Sequence, residues 1–291
     1  MGGQHGQGQR MQILNPTIIM AAGRGSRMRA SSNASDAAIQ EARNRPKAMI
    51  RVGPNPKPLL EHLLLHLREE GSNSVCIVIS DEDEVTQSHF AEQPVPGVNV
   101  SFVQQRIPPG RTKPLGTAQA VELGLLENPQ WKGHSVTVAN GDNLPPMGLF
   151  KRMFEYAACL PAMDRNHLGL PEERVCAFAV IDAKEDFALA NIIEKPTPQQ
   201  VEASRWTDGT IRVSMNMFRV PYSELLTCVQ RATEHPVRKE RELPTAISDW
   251  AKKEGHLRVV PLAGEFLDLT HPTDIAKAEK AMRKGGMTLQ N

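Results

Sequence analysis

The most constraining feature of this chain is a short apolar run that ends in a glycine-rich, basic loop. Residues 17–22, Thr-Ile-Ile-Met-Ala-Ala, are typical of a buried strand. The next seven residues, 23–29, contain two glycines and three arginines. Glycines let backbone N–H groups approach an anion closely, and arginine and lysine side chains supply the positive charge that a polyphosphate requires. Together with the downstream Pro46-Lys47 pair, the loop predicts a nucleoside triphosphate site.

Apolar runs of strand length alternate with helix-period segments along the chain. The strand candidates are 17–22, 75–80, 98–103, 135–139, 175–181, 211–220 and 257–262. The helix candidates are 59–67, 117–126, 149–158, 222–232, 244–254 and 272–283. This alternation predicts an α/β fold, a Rossmann-like, mostly parallel mixed sheet with helices on both faces. Ligands of such sheets bind beyond the carboxyl ends of the strands, where the glycine-rich loop lies.

Charge and hydropathy argue against several classes of partner. Lys plus Arg number 34 and Asp plus Glu 33, so no basic field favours nucleic acid or a membrane surface. No apolar stretch approaches the roughly 20 residues of a membrane span, and no signal peptide is visible. Four scattered cysteines without metal-ligand spacing are typical of reduced core residues. We therefore expect a cytoplasmic protein that binds neither nucleic acid nor membrane.

Motifs downstream of the glycine-rich loop resemble a known family. Gly23-x-Gly25-Ser26-Arg27-Met28 is followed by Pro46-Lys47 and by Lys57-Pro58-Leu59 before a helix. Further motifs recur in family order: Leu115-Gly116-Thr117-Ala118, Gly141-Asp142-Asn143, Glu194-Lys195-Pro196 and Phe266-Leu267-Asp268. Each is weak alone, but together they resemble the sugar-1-phosphate nucleotidyltransferases over roughly residues 17–280. The resemblance implies the nucleotide-diphospho-sugar transferase fold, which is GT-A-like, and an enzyme that joins an NTP to a sugar 1-phosphate and releases pyrophosphate.

The resemblance also implies roles for individual residues. Arg27 and Lys47 would be the catalytic cations, Arg27 on the β- and γ-phosphates and Lys47 beside the α-phosphate. The nucleotide would contact Ala22, Gly23, Gly25, Ser26, Gln105, Gly116 and Thr117. The sugar phosphate would contact Asn143, Glu194, Lys195 and Asn216. Asp142 and Asp268 would hold Mg²⁺, which prefers oxygen ligands. No protein nucleophile is required, because charge neutralisation and in-line positioning dominate such a reaction.

The choice of base depends on Gln105 and Gly116. Gln105 matches the glutamine with which pyrimidine-selecting relatives read the base edge, and an amide pairs with a pyrimidine carbonyl and N–H together. Gly116 leaves room for a backbone contact. These residues favour UTP, dTTP or CTP over purine nucleotides. The glutamine that often follows the Pro-Lys lysine in thymidylyltransferases is Ala48 here.

The acceptor side departs from the family pattern. Relatives usually carry a Tyr-Gly pair and a longer hairpin before Glu-Lys-Pro, whereas the shorter segment 182–193 carries Phe187-Ala188. After Asp268, the customary Gly-Thr is Thr270-His271. The acceptor is therefore left open between a sugar 1-phosphate and another phosphorylated small molecule, such as a phosphocholine-like one.

The chain shows no internal repeat or mid-chain linker, which predicts one domain. We expect a flexible tail (1–15), followed by a domain (16–291) with a mainly nucleotide-binding half (16–126), a mainly sugar-phosphate half (127–270) and a C-terminal helix (271–291). The polar segment 29–45 is long for a connection and predicts either a lid over the phosphates or a solvated loop. Relatives often form dimers or tetramers, which leaves a homo-oligomer open.

Two other functions remain compatible with the sequence. One is a catalytically silent regulatory or binding protein of the same fold, since fold does not fix function. The other is a glycosyltransferase that binds a finished NDP-sugar, for which Asp81-Glu82-Asp83 would serve as a metal-diphosphate motif. An exposed acidic turn is the simpler interpretation of that run.

Overall fold

The computed structural model describes residues 12–23, 25, 28, 36–253, 256–283 and 289. The strands in these ranges are β1 (Thr17–Met20), β2 (Arg51–Val52), β3 (Lys57–Pro58), β4 (Ser74–Ser80), β5 (Asn99–Gln105), β6 (Ser135–Asn140), β7 (Asn143–Leu144), β8 (Cys159–Asp164), β9 (Val180–Ala183), β10 (Leu189–Ile193), β11 (Arg212–Ser214), β12 (Phe218–Pro221), β13 (Arg258–Leu262) and β14 (Leu267–Asp268). The helices are α1 (Asp36–Asn44), α2 (Leu59–Glu69), α3 (Glu84–Glu92), α4 (Thr117–Glu127), α5 (Leu149–Phe154), α6 (Glu172–Val175), α7 (Pro198–Ala203), α8 (Tyr222–Gln230), α9 (Leu243–Lys253) and α10 (Thr273–Arg283).

One large sheet organises these elements. Its strand order is β10-β9-β11-β8-β12-β6-β1-β4-β5, and β13 pairs with β8 outside this path. Strands β6, β1, β4 and β5 are parallel, whereas β12 pairs antiparallel with both β6 and β8. The predicted α/β fold with a mixed sheet is confirmed. Its parallel half coincides with the N-terminal strands, and the antiparallel pairs lie in the other half.

Helices cover both faces of the sheet, as the apolar periodicity predicted. Successive residues of β1 point to opposite faces, so Ile18 and Ile19 are both fully buried but belong to different core clusters. The leucine stripe of α2 packs into the cluster that contains Ile19. Helices α4, α8 and α9 pack into the cluster that contains Ile18.

Several element boundaries differ from the sequence prediction. The predicted strand 211–220 is two strands, β11 and β12, because the chain breaks at Asn216 with φ +55°. The predicted helix 149–158 ends at Phe154, and Cys159 begins β8, whose residues are all buried. A strand buried on both faces lacks the polar–apolar alternation that marks a half-exposed one, and Pro161 further obscures it. Val175 ends α6 instead of starting a strand, and α3 was not predicted.

Residues 12–15, at the end of the segment expected to form a tail, are hydrogen-bonded to the domain. The Leu14 N–H donates to Asn73 Oδ1 at 2.8 Å. The Asn15 side chain donates to the Gly71 carbonyl at 3.1 Å and accepts from Arg219 at 3.0 Å. These contacts hold the residues just before β1 against the domain.

The polar segment 29–45 contains helix α1 in its described part, 36–45. Glu41 accepts from the Arg51 N–H at 3.1 Å and pairs with Arg45 at 2.9 Å. This end of the segment is therefore fastened to the strand that follows it. Residues 29–35 lie outside the described residues, and the lid stays a prediction.

Every helix in the described ranges is too short or too polar to traverse a lipid bilayer.

Candidate active site

A cavity of about 600 Å³ lies at the carboxyl-end edge of the parallel strands. Its lining consists of 20–23, Lys47, Ala48, Gln105, 112–114, Gly116, Thr117, Ala120, Asn140, Asp142, Asn216 and Glu240. Parallel strands end at one edge of a sheet, so the residues that follow β1, β5 and β6 converge there. The glycine-rich loop thus opens into the same space as the other predicted nucleotide-binding residues.

Lys47 and Asp142 form an ion pair in this cavity. The Lys47 Nζ lies 2.5 Å from Asp142 Oδ2, and the lysine side chain is only 13% exposed. Asp142 follows β6 in a turn fastened to β1, because the Gly141 N–H donates to the Met20 carbonyl at 2.9 Å. Gly25 packs against the lysine stem, since a Cβ on this glycine would lie 3.3 Å from Lys47 Cβ. Gly25, Lys47 and Asp142 therefore lie side by side.

Asp268 joins this pair from the opposite end of the sequence. It lies on β14, directly opposite Asn143 of β7, and the Leu269 N–H donates to the Asp142 carbonyl at 3.3 Å. The Thr270 hydroxyl donates to both Asp268 carboxylate oxygens, at 3.1 and 3.2 Å. Burial raises the pKa of Asp268, and the neighbouring Asp142 carboxylate raises it further, against the opposing effect of Lys47.

The donor chemistry of these carboxylates fits Mg²⁺. Asp142 and Asp268 offer oxygen ligands, and their mutual repulsion is what a divalent cation would relieve. Among the described residues, no His, Cys, Asp or Glu cluster of three or more could hold a metal. Two protein carboxylates suit Mg²⁺, which usually keeps several waters and binds substrate phosphates.

The other end of the cavity is formed by Gln105 and the start of α4. The Gln105 Nε2 donates to the Gly116 carbonyl at 2.8 Å and to Gln119 Oε1 at 3.0 Å. Both amide hydrogens are therefore used within the protein, and the carbonyl Oε1 is the group left to meet a ligand. The sequence predicts that this amide both donates and accepts at the base edge, whereas this arrangement leaves it to accept only.

Gly116 is held in a conformation that only glycine adopts readily. Its φ is +105°, and a Cβ at this position would lie 2.6 Å from the Arg241 carbonyl and 3.0 Å from Glu240 Cβ. Thr117 also lines the cavity, and its hydroxyl accepts from the Leu243 N–H at 2.9 Å. The start of α4 is thus packed against the segment that leads into α9.

The remaining predicted residues divide into three groups. Ala22, Gly23 and Asn216 line the cavity, and Asn143 is buried beside Asp142. Glu194 and Lys195, which follow β10, are not among the described residues that line it. Burial raises the pKa of Glu194, and the carboxylate of Glu242, the residue before α9, raises it further. Arg27 and Ser26 lie outside the described residues.

Among the lining residues that were not predicted to be in the site, 112–114 and Glu240 lie outside the family motifs. Residues 112–114 lie in a Pro- and Gly-rich basic connection between β5 and α4. This composition and the position after a strand were usable indications of a binding loop. Glu240 lies in a charged run far along the chain, and nothing local to it indicates a ligand.

The acidic run 81–83 is part of a helix start. Asp83 is the N-cap of α3, and its carboxylate accepts from the Thr86 N–H at 2.9 Å and the Thr86 hydroxyl at 2.7 Å. An aspartate engaged in capping satisfies its own helix end. The run therefore gives no support to a glycosyltransferase.

Comparison with known proteins shows the family of this chain. The model of the nucleotidyl transferase family matches residues 16–219. The chain belongs to this family. The predicted resemblance to the sugar-1-phosphate nucleotidyltransferases is confirmed.

Bifunctional protein GlmU of Methanococcus maripaludis is among the similar sequences. The strain C7 protein is 26% identical over 262 residues, which cover 90% of this chain and 53% of that protein. The strain S2 protein is 25% identical over the same length. The chain thus spans about half the length of these relatives.

Solved structures share the fold. A putative glucose-1-phosphate thymidylyltransferase from Bacillus anthracis, in complex with a sucrose, has a TM-score of 0.64 and 18% identity over 92% of this chain and 95% of its own. HddC from Yersinia pseudotuberculosis, complexed with GMP-PN, has a TM-score of 0.59 and 20% identity over 93% of this chain and 99% of its own. These likenesses support the single-domain α/β fold.

Proposed function

We propose that this protein transfers a nucleotidyl group from an NTP to a sugar 1-phosphate in a Mg²⁺-dependent reaction. The observation that carries the proposal is the Lys47–Asp142 pair, which shares one cavity with the glycine-rich loop and has the Asp268 carboxylate beside it. Lys47 and the two carboxylates, which would hold a divalent cation, provide the positive charge that a reaction between an NTP and a sugar 1-phosphate requires.

In the proposed reaction, an oxygen of the sugar 1-phosphate attacks the α-phosphorus of the NTP. The bond to the bridging oxygen breaks, and pyrophosphate leaves as the NDP-sugar forms. Lys47 exchanges its Asp142 partner for phosphate oxygens and neutralises charge that develops on the transferred group. Gly23 and Gly25 let the loop backbone approach the triphosphate. Arg27 is assigned to the β- and γ-phosphates by the motif.

Asp142 and Asp268 are the proposed holders of Mg²⁺. When bound, the ion supplies charge neutralisation and a template for phosphate oxygens. Thr270 and Arg174 orient Asp268, since Thr270 donates to its carboxylate and Arg174 donates to its backbone carbonyl at 2.9 Å.

The pyrimidine preference stays a proposal. Gln105 supports it only through its carbonyl oxygen, because its Nε2 donates within the protein. The Gln105 carbonyl accepts from the N3–H of uracil or thymine, and the Gly116 N–H is the candidate donor to a base carbonyl. The B. anthracis structure, named as a thymidylyltransferase, supports a pyrimidine, whereas the HddC complex with GMP-PN makes guanine the main competitor.

The acceptor assignment is the least constrained part of the proposal. Asn216 lines the cavity beyond Asp142, and Asn143, Glu194 and Lys195 are the other residues assigned to the sugar phosphate. A different phosphorylated acceptor, such as phosphocholine, remains the alternative for this half of the site.

The test is a substrate matrix. The protein is incubated with UTP, dTTP, CTP, ATP or GTP, with Mg²⁺, and with a panel of sugar 1-phosphates and phosphocholine, and pyrophosphate release is measured. We expect release with at least one pair, and loss of that release when EDTA removes the ion. Silence across the matrix contradicts the proposal, and nucleotide binding without turnover favours a silent binding protein.

A further inference from the structure

One wall of the nucleotide cavity includes Glu240, which lies in segment 233–243, between the turn after α8 and the first residue of α9. The Arg241 N–H donates to the Leu115 carbonyl at 2.5 Å, and the Arg241 carbonyl accepts from the Ala118 N–H at 3.0 Å. The Arg241 guanidinium donates to Glu122 of α4 at 2.9 Å. These contacts fix the segment against the start of α4. It therefore lies next to Gly116, whose backbone is proposed to face the base.

Glu240 presents a carboxylate from this wall to the cavity. Its Cβ would lie 3.0 Å from a Cβ on Gly116, so the side chain begins beside the proposed base contact. Its carboxylate lies 3.8 Å from the Lys113 Nζ, and the lysine side chain is 71% exposed. A contact of this length to an exposed lysine leaves the carboxylate oxygens with capacity for a ligand.

Charge decides which part of a nucleotide this carboxylate faces. A triphosphate would be repelled by it, and the cation that marks the phosphate end is Lys47, paired with Asp142. The nucleoside end offers the hydrogen-bond donors that a carboxylate needs, on the base edge and on the ribose. The base edge is already faced by Gln105 Oε1 and the Gly116 backbone, so the ribose hydroxyls are the donors left for Glu240.

We propose that Glu240 accepts hydrogen bonds from the ribose hydroxyls and makes this enzyme select ribonucleotides over 2′-deoxyribonucleotides. Two vicinal hydroxyls match the two oxygens of a carboxylate, as acidic residues on ribose do in dinucleotide sites. The inference rests on the proposed function in that the cavity holds a nucleotide with its base beside Gln105 and Gly116. It does not depend on which base is bound.

The test compares matched pairs of nucleotides that differ only in the 2′-hydroxyl, such as UTP with dUTP and GTP with dGTP. For the base that the protein uses best, we expect kcat/KM for the ribonucleotide to exceed that for the 2′-deoxynucleotide by about 10- to 100-fold, the effect of one hydrogen bond to a charged group. Glu240→Ala should bring the ratio close to one by lowering the ribonucleotide value. Glu240→Gln, which keeps an acceptor oxygen without the charge, should give an intermediate ratio.

Glu234→Gln is the matched control. Glu234 lies on the same segment, pairs with Arg111 at 3.2 Å and does not line the cavity. Its removal should leave the ribonucleotide ratio at the wild-type value. A ratio that falls equally in Glu234→Gln would show that the segment's packing sets the selectivity, and this outcome overturns the assignment to Glu240.

Calorimetric dissociation constants for the same nucleotide pairs give a readout that does not require turnover. A wild-type protein that binds both members of a pair equally overturns the inference, as does a ribonucleotide preference that survives in Glu240→Ala. If the substrate matrix is silent but ribonucleotides bind preferentially through Glu240, the transferase proposal fails and this inference stands. Thermal melting of each variant confirms that the compared proteins are folded.

Discussion

The parallel and antiparallel halves of the sheet place polar groups at the site in different ways. In the parallel half, β1, β5 and β6 all end at one edge, so short motifs after each strand converge. In the other half, neighbouring strands run in opposite directions except for β13, which is parallel to β8, and the predicted acceptor residues lie at breaks between or after strands. Asn216 has φ +55° between β11 and β12, and Lys195 has φ +48° after β10.

This difference separates a geometry that local sequence specifies from one that depends on the surrounding structure. A strand end followed by a glycine loop is specified by local sequence and by the direction of the strand. A non-glycine residue with positive φ costs free energy and persists only where its surroundings hold it. We therefore expect the phosphate chemistry to depend on the parallel half, and the choice of acceptor to depend on the strained positions of the antiparallel half.

The largest expected effect is on Lys47. Lys47→Ala should lower kcat/KM by about 100-fold or more, because it removes a buried cation from the charge that develops in the transition state. Steady-state kinetics with both substrates varied measure the loss. Lys132→Ala, an exposed lysine just before β6, is the control and should stay at the wild-type rate. A loss of kcat/KM below tenfold would contradict the assignment of the phosphate chemistry to the parallel half.

A comparison of two glycines tests how tightly the nucleoside end is packed. Gly133 has φ +90° with open space around it, whereas a Cβ on Gly116 would collide with the Arg241 carbonyl. Gly133→Ala should lower the unfolding free energy by about 1 kcal/mol, because of backbone strain alone. Gly116→Ala should lower it by about 2 kcal/mol more than Gly133→Ala does, because its Cβ also collides with the Arg241 carbonyl. Urea denaturation measures both values. Equal losses of unfolding free energy in the two variants would show that segment 233–243 moves to accommodate the Cβ and is not a rigid wall.

Lys195 tests the acceptor half. Lys195→Gln should raise the KM for the phosphorylated acceptor about tenfold, as expected for a lost charged hydrogen bond, and leave the KM for the NTP within about twofold. Lys184→Gln, an exposed lysine before β10, controls for loss of surface charge in the same half. An equal rise in both KM values would contradict the division of labour between the two halves.

The sequence predicted the parallel half better than the antiparallel half for the same physical reason. β1, β4, β5 and β6 are apolar runs bounded by polar or glycine-rich turns, and the segments after β1, β5 and β6 contain residues that line the cavity. β8 was not predicted, because a strand buried on both faces has no alternation and its Pro161 suggests a break.

Long-range packing was beyond the reach of the sequence. The amide group of Gln105 matched a base-reading residue, but only the structure shows that Gly116 and Gln119 occupy its Nε2. Glu240 lines the cavity because a backbone pairing between Arg241 and Leu115 brings a distant segment to α4. Neither contact leaves a local pattern, since each joins different elements of the fold.

The smallest expected effect lies where the two halves meet, at the start of α10. Asp274 accepts from the Thr270 and His271 N–H groups at 2.9 and 2.8 Å, and from Arg174 at 2.8 Å. Burial alone would favour the protonated acid, but these hydrogen bonds outweigh it and lower the pKa of Asp274. Arg174 also donates to the Asp268 carbonyl, so this carboxylate stabilises the segment that carries Asp268 to Asp142.

Asp274→Asn should lower the unfolding free energy at pH 7 by about 1 kcal/mol, because the amide replaces a charged acceptor. A carboxyl whose pKa is lowered by folding stabilises the protein above its unfolded pKa of about 4 and loses that contribution as pH falls through the lower folded value. The wild type and the variant should therefore differ at pH 7 and converge below about pH 4. Urea denaturation across this range measures the convergence, with Asp249→Asn, an exposed aspartate on α9, as the control. If the unfolding free energies of the wild type and the variant still differed by the same amount below pH 4, the shape of the side chain at residue 274, and not its charge, would be what stabilises the start of α10.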